Sequence, residues 1–159
     1  MLGEGKRTGR RNSASSEDTL SGTISLDGSV LIELLSSTDL SKPLRDAIEG
    51  DIVNPYTTFQ SLTEAEYILC REIGWEKAKE KVEGLTESRA IEIVEASELV
   101  HETARIKCAR AIALTDCYTI ALAEKLNGTA VFARLEDDLS REMNRKPFST
   151  KLAFLRRSR

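Results

Sequence analysis

The sequence predicts an α/β protein in three layers, with helices covering both faces of a short central parallel sheet of about five strands. Two observations carry this. Short apolar or alternating runs suited to strands recur along the chain and are separated by segments of helical period, the pattern of parallel βαβ units. Residues 113–126 form a helical run that is apolar over most of its circumference (Ala113, Leu114, Cys117, Ile120, Ala121, Leu122, Ala123 and Leu126), and such a helix is buried rather than laid on a surface.

Taken in order, residues 1–22 are rich in Gly, Ser, Arg and Asn without periodicity, and read as a disordered leader ahead of one domain over 23–159. Residues 23–27 alternate as a first strand closed by Asp27-Gly28-Ser29, and Val30 to Leu35 begins a helix broken at residues 36–39. A short helical piece follows Pro43 and closes at Gly50. Ile52-Val53 is a weak second strand stopped by Pro55, since proline cannot donate to a sheet ladder. A long helix is expected over 57–73, with Phe59, Leu62, Leu69 and Ile73 on one stripe and Gly74 at its end. A charged helix over 75–85 exposes Lys77, Lys79 and Lys81, residues 90–94 form a third strand, and Ser97 caps a helix to about Ile112. After the buried helix, Asn127-Gly128 supplies a stop in which glycine takes the left-handed conformation. A strand over 129–133, a helix over 135–144 and a last strand over 152–155 complete the pattern.

Composition narrows the chemistry. The 159 residues are 40% hydrophobic and 31% charged, enough for one domain with a sizeable core. Aromatics are 5%, so stacking of bases on aromatic platforms is not an obvious mode of action. No apolar run approaches the roughly 20 residues of a membrane helix, and the polar, basic start lacks the apolar segment of a secretory signal. Cys70, Cys108 and Cys117 have no metal-ligand spacing and read as reduced thiols in a cytoplasmic protein. The single histidine, His101, argues against a histidine-based zinc site or a Ser-His-Asp triad. There is no GxGxxG and no GxxxxGK[ST], which removes the usual support for dinucleotide or P-loop phosphate binding. The net charge of −3 hides an asymmetry: residues 23–150 carry 15 basic against 23 acidic groups, while the C-terminal end (Lys151, Arg156, Arg157, Arg159) is wholly basic. This suits a solvated tail, and equally an acidic body that holds divalent cations with a periphery that meets phosphates.

Four places bring acids toward strand ends: Asp27, Glu64 or Glu66, Asp116, and the Glu136-Asp137-Asp138 cluster. Convergent carboxylates give a hard divalent cation its oxygen ligands, and repel one another without it. Each also has a purely structural reading. Asp27 suits an Asx turn or helix cap. Asp116 suits the start of a helix, where its charge favours the dipole. Ser61-Leu-Thr-Glu64 is a capping-box pattern, and periodicity puts Glu66, not Glu64, nearer the apolar stripe. Cys117, with no histidine beside it, reads as a small buried residue, and His101 as a surface or half-buried one.

Three segments together resemble the PIN-domain family, the nuclease fold that includes VapC-type toxins. The first is the run from Ile24 to Leu35, a strand ending in Asp two residues before a Ser and leading into an apolar helix. The second runs from Leu62 to Arg71, a helix with an inward Glu. The third, Leu114 to Ala123, is the most specific. The likeness covers about residues 23–155 and implies a PIN-like fold with strand order 3-2-1-4-5. It assigns Asp27, Glu64 and Asp116 as catalytic and metal-binding acids and Ser29 as the small polar group beside the metal. For the second acid the family register selects Glu64 over Glu66. Where many members carry Asp in a Thr-x-Asp turn, this chain has Ala133-Arg134-Leu135, so Glu136 or Asp137 would substitute as fourth acid. Arg134 is a candidate phosphate contact.

The activity implied is a Mg²⁺- or Mn²⁺-dependent endoribonuclease cleaving RNA phosphodiesters by water attack, in one form the toxin of a toxin–antitoxin pair. RNA, an antitoxin protein and a second copy in a homodimer are the implied partners. The alternative is a PIN-like module with weak or no catalysis, acting through RNA or protein contacts.

Overall fold

A computed structural model describes residues 19–156; positions 1–18 of the expected leader over 1–22, and the C-terminal Arg157 and Arg159, lie outside the described residues, whereas Gly22 already belongs to the first strand. The described residues form five strands, each separated from the next by one or two of seven α-helices. They are β1 (Gly22–Leu26), α1 (Gly28–Leu35), α2 (Lys42–Glu49), β2 (Val53–Thr58), α3 (Phe59–Ile73), α4 (Trp75–Ser88), β3 (Glu92–Val94), α5 (Val100–Ala109), α6 (Leu114–Lys125), β4 (Thr129–Arg134), α7 (Asp137–Arg145) and β5 (Lys151–Arg156). The sheet is wholly parallel, in the order β3-β2-β1-β4-β5. That is the strand order the family resemblance implies. No helix among the described residues is long and apolar enough to cross a membrane.

Alternation along the strands builds the three layers. In β4, Val131 and Ala133 face one core with Ile24, Leu26, Leu31, Leu44, Leu62 and Val82, under α1 to α4. Ala130 and Phe132 face the other, with Ile106, Cys117, Ile120 and Leu139, under α5 to α7. Successive side chains on opposite faces give each layer its own set. Ser25 is turned to the α6 face, where its buried hydroxyl donates to the Thr119 carbonyl at 2.8 Å. The expected burial of α6 holds for residues 117 and 119–123, whereas Leu114 is 52% exposed.

Several sequence expectations are corrected. β2 runs through Pro55 rather than stopping there. Pro55 pairs with Ile24 of β1, but β3 joins only from Tyr56 onward, so the missing N–H falls before the third strand arrives. The long helix begins at Phe59, and Thr58 is its cap, accepting from the Ser61 N–H at 3.2 Å. Ser61 is therefore inside the helix, and the Ser61–Glu64 capping box does not form. The buried face of α3 is Ser61, Leu62, Ala65 and Leu69, with Phe59 46% and Ile73 36% exposed. Ser97 caps nothing: a 3₁₀ turn at Ala96–Leu99 precedes α5, which ends at Ala109. At the end of α6 the left-handed residue is Asn127 (φ 50°). Gly128 donates to the Ala123 carbonyl at 2.8 Å and Asn127 to Glu124 at 3.2 Å, the paired bonds of a Schellman ending. Gly128 is needed for another reason, since a Cβ there would lie 2.6 Å from the Thr23 carbonyl oxygen.

The outer strands are short or charged. β3 has three residues, and β5 begins and ends in Lys151 and Arg156. On the β5 side, Arg110 stacks on Phe148 with its guanidinium 3.9 Å from the ring centre. It donates to carbonyls of Glu142, Lys146 and Pro147 and lies beside the buried Glu142, which Arg145 also holds at 2.7 Å. This clamp fixes the turn from α7 into β5.

Candidate active site

The site forms beyond the carboxyl ends of β1 and β4, where the strand order reverses, the usual position for sites in open parallel sheets. β1 delivers Asp27, which is 4% exposed. It caps α1, its Oδ2 accepting from the Ser29 N–H at 3.0 Å and the Ser29 hydroxyl at 2.7 Å. Its other oxygen faces Thr119 of α6, whose hydroxyl lies 3.2 Å away. Ser29 Oγ in turn accepts from the Ala133 N–H of β4 at 3.1 Å, and the Thr57 hydroxyl binds the Leu26 carbonyl at 2.8 Å. The end of β1 is thus tied to both neighbouring strands and to α6. The cap and site readings of Asp27 are compatible, because only one of its two oxygens serves the helix.

Asp27, Glu64, Asp116 and Glu136 all line one cleft of about 700 Å³, together with Ser29 and Arg134. Glu64 comes from the second turn of α3. A Cβ on Gly28 would stand 3.2 Å from Glu64 Oε1 and 3.1 Å from the Ser61 carbonyl, so glycine at 28 lets α1 and α3 approach where the acids meet. Asp116 sits in the first turn of α6, but the helix has no side-chain cap, leaving its carboxylate to the cleft. Glu136 immediately precedes α7, and it, rather than Asp137, borders this cleft. Glu66, the residue periodicity favours, does not border the cleft, whereas Glu64, the residue the family register favours, does.

Electrostatics show a concentration of negative charge. Burial, followed by the carboxylates of Asp27, Glu136, Glu64 and Asp138, pushes Asp116 up to about 7. Burial also raises Glu64, with the Thr115 hydroxyl pulling the other way and Asp27 and Glu136 adding to the rise. The neighbouring charges that raise these two groups are all carboxylates. Arg134 borders the cleft but is paired with Glu33 at 3.2 Å, and Glu33 also takes the Thr38 hydroxyl. An all-oxygen donor set of this sign is chemistry suited to a hard divalent cation. The carboxylates do not close into a cage: among the described residues, no three acidic, histidine or cysteine side chains are grouped tightly enough to hold a metal ion as they stand.

A family profile for the PIN domain matches residues 24–141. The chain belongs to the PIN-domain family. Among solved structures, the fold of this PIN domain is similar to Mycobacterium tuberculosis VapC20, described as a sarcin-ricin loop cleaving toxin. The likeness has a TM-score of 0.54 and 16% identity over 74% of this chain and 93% of that one. It is similar also to PAE2754 from Pyrobaculum aerophilum, with a TM-score of 0.54 and 16% identity over 80% of this chain and 87% of that one. Comparison with curated protein sequences gave no match. At such identity the structural likeness speaks for the fold, and the profile match for membership in a nuclease family.

Some residues of this PIN-domain site escape sequence reasoning. Thr119 follows Asp116 by three positions, a helical spacing that puts both on one face. Gln60 borders the cleft outside the three segments that carry the resemblance, and Thr115 borders it from within the third. The lysines at 77, 79 and 81 lie on exposed positions of α4 and do not border it. His101 is exposed and Cys117 fully buried.

Proposed function

We propose that this PIN domain is a metal-dependent endoribonuclease that cleaves RNA phosphodiesters by water attack. The carrying observation is the convergence of Asp27, Glu64, Asp116 and Glu136 on one cleft, in which the other carboxylates raise Asp116. Four carboxylates brought together from four elements are mutually repulsive until a cation enters. Asp27, Glu64 and Asp116 would hold Mg²⁺ or Mn²⁺, with Glu136 completing the set. When bound, the cation supplies charge stabilisation at phosphorus and lowers the proton affinity of water.

The protein's own contributions follow from its contacts. Ser29 and Thr119 fix the orientation of the Asp27 carboxylate. Thr115 favours the charged form of Glu64. Arg134, tethered by Glu33 at the rim, meets phosphate oxygens and orients the strand without reading its sequence. The likeness to VapC20 extends the proposal to a toxin of a toxin–antitoxin pair, with RNA as substrate, an antitoxin as partner and a homodimer as the assembled form.

A second reading, a PIN module with weak or no catalysis that binds RNA or protein, is favoured by the looseness of the carboxylate group. One experiment separates them. RNA is incubated with the protein and Mg²⁺ or Mn²⁺, with Asp116→Asn as control, and metal binding is followed by calorimetry. Cleavage and metal heat that both vanish in Asp116→Asn support the nuclease. Equal cleavage by the two proteins means contamination, and no cleavage by the wild type favours the binding module.

A further inference from the structure

Beside the acids the cleft has a second, uncharged half. Phe59, Thr63 and Tyr67 of α3 follow one another at intervals of four and share one exposed face. Leu114, at the start of α6, borders the same cleft. Phe59, Tyr67 and Leu114 are 46%, 47% and 52% exposed, so three large apolar side chains flank the carboxylates without being buried. The Arg71 guanidinium lies 5.0 Å from the Tyr67 ring centre, covering one aromatic face and leaving the other available.

Gln60 occupies the adjoining row, one helical turn (roughly 6 Å) from Glu64. Its side chain borders the cleft, yet its amide oxygen is shielded and accepts no hydrogen bond. A shielded amide without a partner is unfavourable, and its last torsion is soft. A small rotation presents the amide's acceptor and donor to a group in the cleft.

We infer that this ledge seats an unpaired nucleobase of single-stranded RNA next to the scissile phosphate, Tyr67 stacking on the base and Gln60 reading its edge. The inference rests on the ribonuclease reading and adds a base-recognition subsite to it. The cation of the ledge, Arg71, is stacked on Tyr67 and does not border the cleft, while each base offers a π-face and an edge pairing donors with acceptors. Bases within a duplex expose neither fully, which selects unstacked nucleotides. A base held here places its own phosphate toward Glu64.

The test uses short oligoribonucleotides with each of the four bases, or an abasic nucleotide, at every position around the cut. Kinetics with Mn²⁺ are compared for wild type, Gln60→Ala and Tyr67→Ala, with Gln60→Glu and Tyr67→Phe and circular dichroism as controls on folding. Tyr67→Ala should raise KM roughly tenfold, the scale of a lost base–aromatic stack, and that penalty should vanish on the abasic substrate. Gln60→Ala should flatten wild-type base preference at that one position. Unchanged KM and base preference in both variants would overturn the subsite while leaving the nuclease intact. So would dissociation of a dimer by Tyr67→Ala, seen in sedimentation with unaltered kinetics per protomer, since the ledge then belongs to a second copy. Fluorescence anisotropy with the same oligonucleotides separates the two readings: base-dependent binding lost in Tyr67→Ala, without any cleavage by wild type, supports the subsite and removes the nuclease. Absence of both base-dependent binding and cleavage overturns both.

Discussion

The Ser29 hydroxyl joins Asp27 to β4, donating to the Asp27 carboxylate at 2.7 Å and accepting from the Ala133 N–H at 3.1 Å. One oxygen atom therefore fixes both the orientation of an acid and the separation of two strands at the mouth of the cleft. Ser29→Ala leaves the Ala133 N–H without this acceptor and Asp27 with one fewer donor. Urea denaturation should show a loss of about 1–2 kcal/mol, and cleavage should fall further than stability accounts for. A variant as active as wild type would show that Asp27 needs no such support.

Asp116 makes stability depend on pH in an unusual direction. Its carboxyl is raised to about 7 in the folded protein from an ordinary 3.8, so between those values the folded state holds the proton more tightly than the unfolded one. Stability is then present below about pH 4 as far as this group is concerned, and is lost as pH rises through about 7, by up to about 4 kcal/mol before relaxation. With a chelator present, Asp116→Asn should melt higher than wild type at pH 8 and similarly at pH 4. Mg²⁺ or Mn²⁺ should raise the melting temperature of wild type at pH 8 more than that of the variant. Thermal melts across pH, with and without the ion, measure both.

Arg134 and Glu33 form an ion pair at the rim, with the Arg134 side chain 54% exposed. The Glu33 side chain is only 12% exposed but keeps the Thr38 hydroxyl, and a pair with one exposed partner contributes about 1 kcal/mol, so Arg134→Ala should lower the melting temperature only slightly. If the arginine meets phosphate, RNA affinity should weaken across all sequences, and the slope of log affinity against log salt should fall by about one contact. Titrations at several salt concentrations decide it.

The cysteines differ in accessibility and chemistry. Burial pushes the Cys117 thiol up to about 11, and a thiol rather than a thiolate reacts slowly, whereas Cys108 is exposed. A thiol reagent at pH 8 should modify Cys108 rapidly and Cys117 only after unfolding, as peptide mass mapping would show. Nuclease activity should survive the first modification, because Cys108 does not border the cleft.

Much of this fold is legible from sequence where local pattern and tertiary demand agree. Residues 23–26 alternate and lie in β1, and the apolar run after Asp116 is buried. The family register also brings Glu64 to the cleft. Readings fail where a distant neighbour decides. Pro55 is tolerated in a strand because β3 begins one residue later, which no local rule states. Gly128 reads as a left-handed stop, yet Asn127 takes that conformation, and glycine is required by the Thr23 carbonyl pressed against it. Phe59 and Ile73 share spacing with the buried face of α3 but stand at its exposed ends. Convergence of the acids is invisible to spacing, since 89 positions separate Asp27 from Asp116, and only sheet order brings them together.

The brevity of β3 and the charges bounding β5 have a consequence for how copies of this molecule meet. An open edge invites another chain to add a strand, the route to runaway self-association. Three residues offer too little ladder on one side, and Lys151 and Arg156 set like charges against an identical strand on the other. Growth by edge-to-edge pairing is thereby disfavoured, and lasting contact between two such molecules must come from their helical surfaces.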